Sequence, residues 1–242
     1  ASGNVSAASD RVGGLTGEVS TGSVVRSFAR GSVSGRDYVG GLVGTLDNAT
    51  GSISDSYALG TVTASRDYVG GLVGENQGTV QRSYSTGAVS ATTSSKGGLV
   101  GYDFNGTVSD AYWNTDTSGL ETSGGGVGKT TAEMQDVTTY AGWSIAQGFN
   151  SSLTWAICLN VNSGYPYLTW SYSSDPCVTE VNYQFTFRLP DGTECGAIGL
   201  VGVVDGTIYI LPGEDADCRT MEGALVGGWT IPVPEGYDSI GS

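Results

Sequence analysis

Apolar side chains in the first 112 residues come in short, strand-length bursts separated by Gly, Ser, Asn and Asp. No stripe at helical spacing runs through them. The bursts recur as three phrases. The first reads VGGLTG at 12–17, VGGLVG at 39–44 and 69–74, and GGLVG at 97–101. The second reads GSVVRSF at 22–28, GSISDSY at 51–57, GTVQRSY at 78–84 and GTVSDAY at 106–112. The third is GNVS at 3–6, GSVS at 31–34, GTVT at 60–63 and GAVS at 87–90. Leu15, Leu42, Leu72 and Leu99 lie 27, 30 and 27 residues apart. A period of this length marks stacked repeats. Three short strands and three turns fit one repeat, which predicts an all-β chain. Residues 1–112 are expected to form a right-handed parallel β-solenoid of about four coils, with backbone groups paired between coils.

Equivalent positions should stack into ladders. Four aliphatic ones are expected inside: Leu15–Leu42–Leu72–Leu99, Val43–Val73–Val100 (with Thr16 in the first coil), Val24–Ile53–Val80–Val108, and Val5–Val33–Val62–Val89. The glycines are expected to supply positive φ at coil corners and room for close backbone approach. Phe28, Tyr57, Tyr84 and Tyr112 form an aromatic ladder, read either as structural stacking or as an exposed ligand platform joined by Trp113 or Trp143. Strict alternation would bring Arg26, Asp55, Arg82 and Asp110 inside with it, so a corner must break the parity. Arg36-Asp37-Tyr38 and Arg66-Asp67-Tyr68 fall in neighbouring coils and predict a surface ion-pair ladder of small energetic weight.

The phrases Gly14-Leu15-Thr16-Gly17 and Gly41-Leu42-Val43-Gly44 resemble the GLUG repeat of bacterial and archaeal surface proteins, some of them adhesins. Residues 110–135 and the stretch from Trp155 to Leu168 resemble that family's closing segment. The resemblance implies a β-solenoid surface protein and carries no particular activity.

The third phrase at 3–6 places the start partway through a repeat, so a half-coil is expected there, completed by a neighbouring copy or by preceding sequence. Residues 113–175 are expected to cap the solenoid. Thr130 and Glu133 have capping-box spacing and predict a short helix over about 131–138 that plugs the stack. Ser123-Gly-Gly-Gly-Val-Gly128-Lys129-Thr130 is one residue short of a P-loop. The polar residues before it are not the required strand, so nucleotide binding is set aside. From about 176 the repeat ends. Tyr183–Leu189, Ala197–Val204, Thr207–Leu211 and Ala224–Val233 predict a small antiparallel sandwich or barrel over 176–242.

Four cysteines, Cys158, Cys177, Cys195 and Cys218, stand in a chain without histidine, and none forms a CxxC pair. Two disulfides fit better than zinc, and they imply an oxidising, extracellular setting. Of three pairings, Cys158–Cys177 and Cys195–Cys218 close the shortest loops. Asn4, Asn48, Asn105 and Asn150 head N-x-S/T sequons and are candidate glycosylation sites. Glu214, Asp215 and Asp217 are calcium candidates, although their spacing matches no known loop, and a solvated acidic loop is the plainer reading. No other cofactor or metal is expected. The longest apolar stretch, 197–204, is too short to cross a bilayer. The chain reads as mature and secreted, or as a processed part of something larger.

The net charge is −14, split −5 over residues 1–170 and −9 over 171–242. Such a surface disfavours nucleic acid. With no histidine and no nucleophile–base pair, no catalytic residue is expected; Asp37, Asp55, Asp67 and Asp110 recur with the coils, as architecture does. The chain reads as an extracellular structural or adhesive surface protein, with head-to-tail filament assembly of its own copies as one expectation. A carbohydrate-binding module on surface glycans is the alternative, and a polysaccharide-active enzyme a more distant one.

Overall fold

A computed structural model describes residues 1–92 and 95–177, together with the backbone of four strands at 181–188, 194–204, 207–211 and 229–232. The chain divides into two compact units, Ala1–Trp143 and Ser144–Ser242.

The first unit is a β-solenoid of about four turns. Each complete coil contributes five short strands rather than three. In the second coil these are Val33–Gly35, Val39–Gly40, Val43–Leu46, Gly51–Ser54 and Tyr57–Ala58. Each strand pairs in parallel with its counterparts one coil away, giving five narrow sheets. The register is the one the repeats dictate: Val5, Val33, Val62 and Val89 are successive partners. So are Val24, Ile53, Val80 and Val108, and Phe28, Tyr57, Tyr84 and Tyr112. The leucines follow through Leu42 N–H to Leu72 O and Leu72 N–H to Leu99 O, both 2.9 Å. Side chains of one kind then fill one place in every coil. Leu42, Leu72 and Leu99 are fully buried in one core cluster, and Val33, Val62 and Val89 lie in a second. Each such aliphatic contributes about 1.5–3 kcal/mol of burial. Leu15 departs from the expected ladder. It is 44 % exposed, because it lies in the first coil and has a coil on one side only.

The corners explain why five strands replace three. Arg11, Tyr38 and Tyr68 turn one corner at positive φ, and Arg26, Asp55, Arg82 and Asp110 turn another. A single left-handed residue reverses which face the next side chain joins. It costs a non-glycine residue roughly 1–2 kcal/mol, which the stack around it must offset. The glycines were expected to supply positive φ; Gly22, heading the second phrase, does, and those of the G-G-L-x-G phrase do not. Their role is clearance. A Cβ on Gly41 would strike the Gly71 carbonyl oxygen, and one on Gly44 would strike the Gly17 carbonyl and come within 2.8 Å of the Arg11 and Val12 backbone.

The far end of the stack is closed by the chain itself. The strand Val127–Lys129 adds to the sheet of Tyr112–Asn114. Gly98 N–H donates to Thr122 O, and Gly124 N–H to Val100 O. Ser123 Oγ accepts from the N–H of Leu99 and of Val100. The P-loop-like run is therefore a plug, and its glycines let it lie against Val108 and Leu99. The helix expected over 131–138 is shorter, Thr131–Met134, and a 3-10 turn at Val137–Tyr140 follows it. Both halves of its capping box form. It is not what covers the strand edges; residues 122–129 do that.

In the second unit, Trp155–Ile157 pairs in parallel with Ile145–Gln147 and antiparallel with Tyr167–Leu168. A four-stranded antiparallel sheet follows: Val181–Arg188, Glu194–Val204, Thr207–Leu211 and Trp229–Pro232, in that order. Cys158 and Cys177 form a disulfide. The Cys195–Cys218 pairing and the calcium candidates Glu214, Asp215 and Asp217 lie outside what is described.

Candidate functional site

The αL corner decides where the first aromatic ladder goes. Arg26, Asp55, Arg82 and Asp110 turn the chain at positive φ, so they stay outside while the aromatic two residues later points inward. Tyr57 and Tyr84 have no exposed surface, and Phe28 and Tyr112 are partly buried. The rings of Phe28, Tyr57 and Tyr84 stack at 5.2 and 5.1 Å, within 12° of parallel. Trp113 packs into the core at the closed end, and Trp143 lies buried against Tyr112 and Tyr140. Of the two readings of this ladder, stacking is the one observed. The corner turns Tyr57 and Tyr84 into the stack, Trp113 and Trp143 are buried at the closed end and Tyr112 packs against Trp143, so these rings do not form an exposed platform.

A polar ladder missing from the sequence reading lies directly beneath these corners. Ser27 N–H donates to Ser56 Oγ at 3.0 Å, and Ser56 N–H to Ser83 Oγ at 3.2 Å. Each hydroxyl turns its own proton back to the carbonyl two residues earlier, Val25, Ser54 and Gln81 in turn. The corner leaves this N–H without an inter-coil carbonyl, and the serine supplies the acceptor. The signal was visible as the invariant serine of RSF, DSY and RSY, and Ala111 ends the series.

Charges on the outer surface alternate between coils. Arg82 grips Asp55 through two 2.8 Å bonds, and Arg36 grips Asp10 through bonds of 2.7 and 2.6 Å. Arg66 reaches Asp37 at 3.0 Å. The expected pairing of Arg36 and Arg66 with coil neighbours is present. The Arg36 guanidinium holds the Asp10 carboxyl below its usual range.

A second aromatic row lies on the surface. Tyr38 and Tyr68 occupy the other αL corner, with rings stacked at 4.9 Å and 18°. In the next coil this corner position is Ser95, and Tyr102 from the adjoining sheet meets Tyr68 instead, at 5.2 Å and 51°. Phe104 continues the row 6.3 Å from Tyr102. Tyr38 and Tyr68 are half-buried, while Tyr102 and Phe104 are 42 % and 51 % exposed. Tyr102 also ends a cross-coil row that runs Glu18, Thr45, Glu75, Tyr102. Burial raises the Glu75 carboxyl, and burial with the nearby Glu75 charge raises the Tyr38 hydroxyl.

The sequon asparagines Asn4, Asn48, Asn105 and Asn150 are all exposed. Among the described residues no group of three His, Cys, Asp or Glu side chains is placed to hold a metal ion, and no helix is long and apolar enough to cross a membrane.

Residues 35–63, one full coil, match the GLUG motif. The chain is 41 % identical over 189 residues to Halomucin of Haloquadratum walsbyi (strain DSM 16790 / HBSQ001), an alignment covering 69 % of this chain. The chain spans about 2 % of that relative's length. No solved structure matches it.

Proposed function

We propose that this chain is an extracellular structural or adhesive surface module, and that the open face of its first coil is where it joins another solenoid coil. The GLUG match and the relative support the surface assignment, and the regular coil-on-coil stack supports a structural role. The observation that carries the interface is the asymmetry of the stack. Its far end is sealed by residues 122–129. Its near end presents the first strands of five sheets, with no further strand beyond them among the described residues. Leu15 and Val25 lie exposed there, at 44 % and 47 %. An uncovered parallel edge is a template for strand addition.

The seal blocks the simplest head-to-tail filament, in which the last coil of one copy stacks on the first coil of the next. We propose that a coil edge of a second copy, rather than of preceding chain, fills the open face. Sedimentation and negative-stain electron microscopy of the full chain test this. The expected result is concentration-dependent assembly that Leu15→Asp abolishes. Monomers at all concentrations, across salt and calcium, would refute it.

A further inference from the structure

We infer that the surface row Tyr68, Tyr102 and Phe104 is a binding stripe for a neutral pyranose polysaccharide. It gives the adhesive side of the reading above a ligand, without resting on coil-to-coil assembly.

The first observation is where the corner spends its aromatic residues. Left-handed corners favour Gly, Asn and Asp, and one corner uses Asp in two coils and Arg in the other two. The corner at Tyr38 and Tyr68 instead holds two bulky rings in the disfavoured conformation. Their stacking offsets part of the cost of such a corner. The rings are then held on the outside, and at Ser95 the row breaks and bends. Tyr68 and Tyr102 meet at 51°, and Phe104 is tilted a further 32° to Tyr102. A parallel stack leaves no face free between its members. A tilted pair leaves faces open, and here the two most exposed rings are the tilted ones.

The second observation is charge. Glu75 is the register partner of Tyr102, while the Asp103 carboxylate accepts from the buried Asn76 side chain at 2.6 Å. Of the cations near this row, Arg11 is engaged by Glu18 at 2.7 Å and Arg66 by Asp37 at 3.0 Å. A polyanion, whether nucleic acid or a uronic acid chain, meets carboxylates here. A neutral sugar does not. Its axial C–H groups fit the electron-rich ring faces, and its hydroxyls can donate to Glu75. The Tyr68–Tyr102 step of 5.2 Å crosses one coil and the Tyr102–Phe104 step of 6.3 Å runs within it, so the stripe takes successive pyranose units around a bend.

Retention of the full chain on cellulose and chitin, and titration with cello- and chito-oligosaccharides, test the stripe. Tyr102→Ala and Phe104→Ala alter exposed side chains and should leave the thermal midpoint unchanged. Each should weaken binding about tenfold, which corresponds to ~1.4 kcal/mol, and the double variant should abolish it. Val127→Ala, another exposed apolar residue, should bind as the parent does. Failure of the parent chain to bind any neutral polysaccharide would overturn the inference. So would equal binding to polygalacturonate, unchanged binding by the double variant, or a self-association that the double variant dissolves. Leu15→Asp should leave polysaccharide binding intact, so failure of the assembly reading and failure of this one are told apart.

Discussion

The backbone N–H of Ser56 is bonded to the side chain of Ser83, one coil away, at 3.2 Å. Both residues are fully buried. The bond exists because Asp55 and Arg82 turn the corner at positive φ and displace the carbonyl that would otherwise accept. Ser83→Ala therefore leaves a buried donor unsatisfied. The expected loss is about 1–3 kcal/mol, read by denaturant unfolding of the first unit, while Ser20→Ala on the surface should cost far less.

Thr45 presents the opposite case. Its Oγ1 is buried without a hydrogen-bond partner. Thr45→Val keeps the shape and removes the unpaired hydroxyl, so stability should hold or rise, by up to about 1–3 kcal/mol. A clear fall in the unfolding midpoint would show that the hydroxyl is satisfied.

The second glycine of the G-L-x-G phrase is a clearance residue. Gly44→Ala drives a Cβ into the Gly17 carbonyl and the Arg11 backbone. The obstacles are backbone atoms, which cannot rotate away. The expected cost is about 1–3 kcal/mol or more, against little change for Gly3→Ala, where nothing lies within 4 Å.

Acid should loosen the surface ties of the first unit. The Thr130 N–H holds the Glu133 carboxyl below its ordinary value, and Arg36 does the same for Asp10. A depressed folded pKa contributes stability that is complete above the unfolded value and lost as pH falls through the folded one. The midpoint should therefore decline as pH drops below about 4.5. Glu133→Gln should flatten part of that decline. Glu75 opposes the trend, because its raised pKa makes protonation favourable on folding.

Reducing the Cys158–Cys177 disulfide frees a loop of 19 residues in the second unit. The expected destabilisation of that unit is about 3 kcal/mol. Calorimetry with and without reductant should show it, and the solenoid transition should stay in place.

Much of this protein is legible in its letters. The spacing of Leu42, Leu72 and Leu99 dictates coil length and cross-coil register, because parallel stacking places like beside like. The capping box at Thr130 and Glu133 is likewise local, and so is the pairing of Arg36 and Arg66 with aspartates of the coil before. What the letters left open turns on dihedral angles at single residues. Whether Tyr57 is a core ring or a platform depends on the left-handed turn at Asp55, and a side-chain alternation rule has no term for that turn. The surface row was likewise hidden. Tyr102 is in the wrong repeat position to continue Tyr38 and Tyr68, and it reaches them only because adjoining sheets fold against each other at a corner. Periodicity determined the stack; the corner geometry, set by packing across coils, decided which aromatic faces meet solvent.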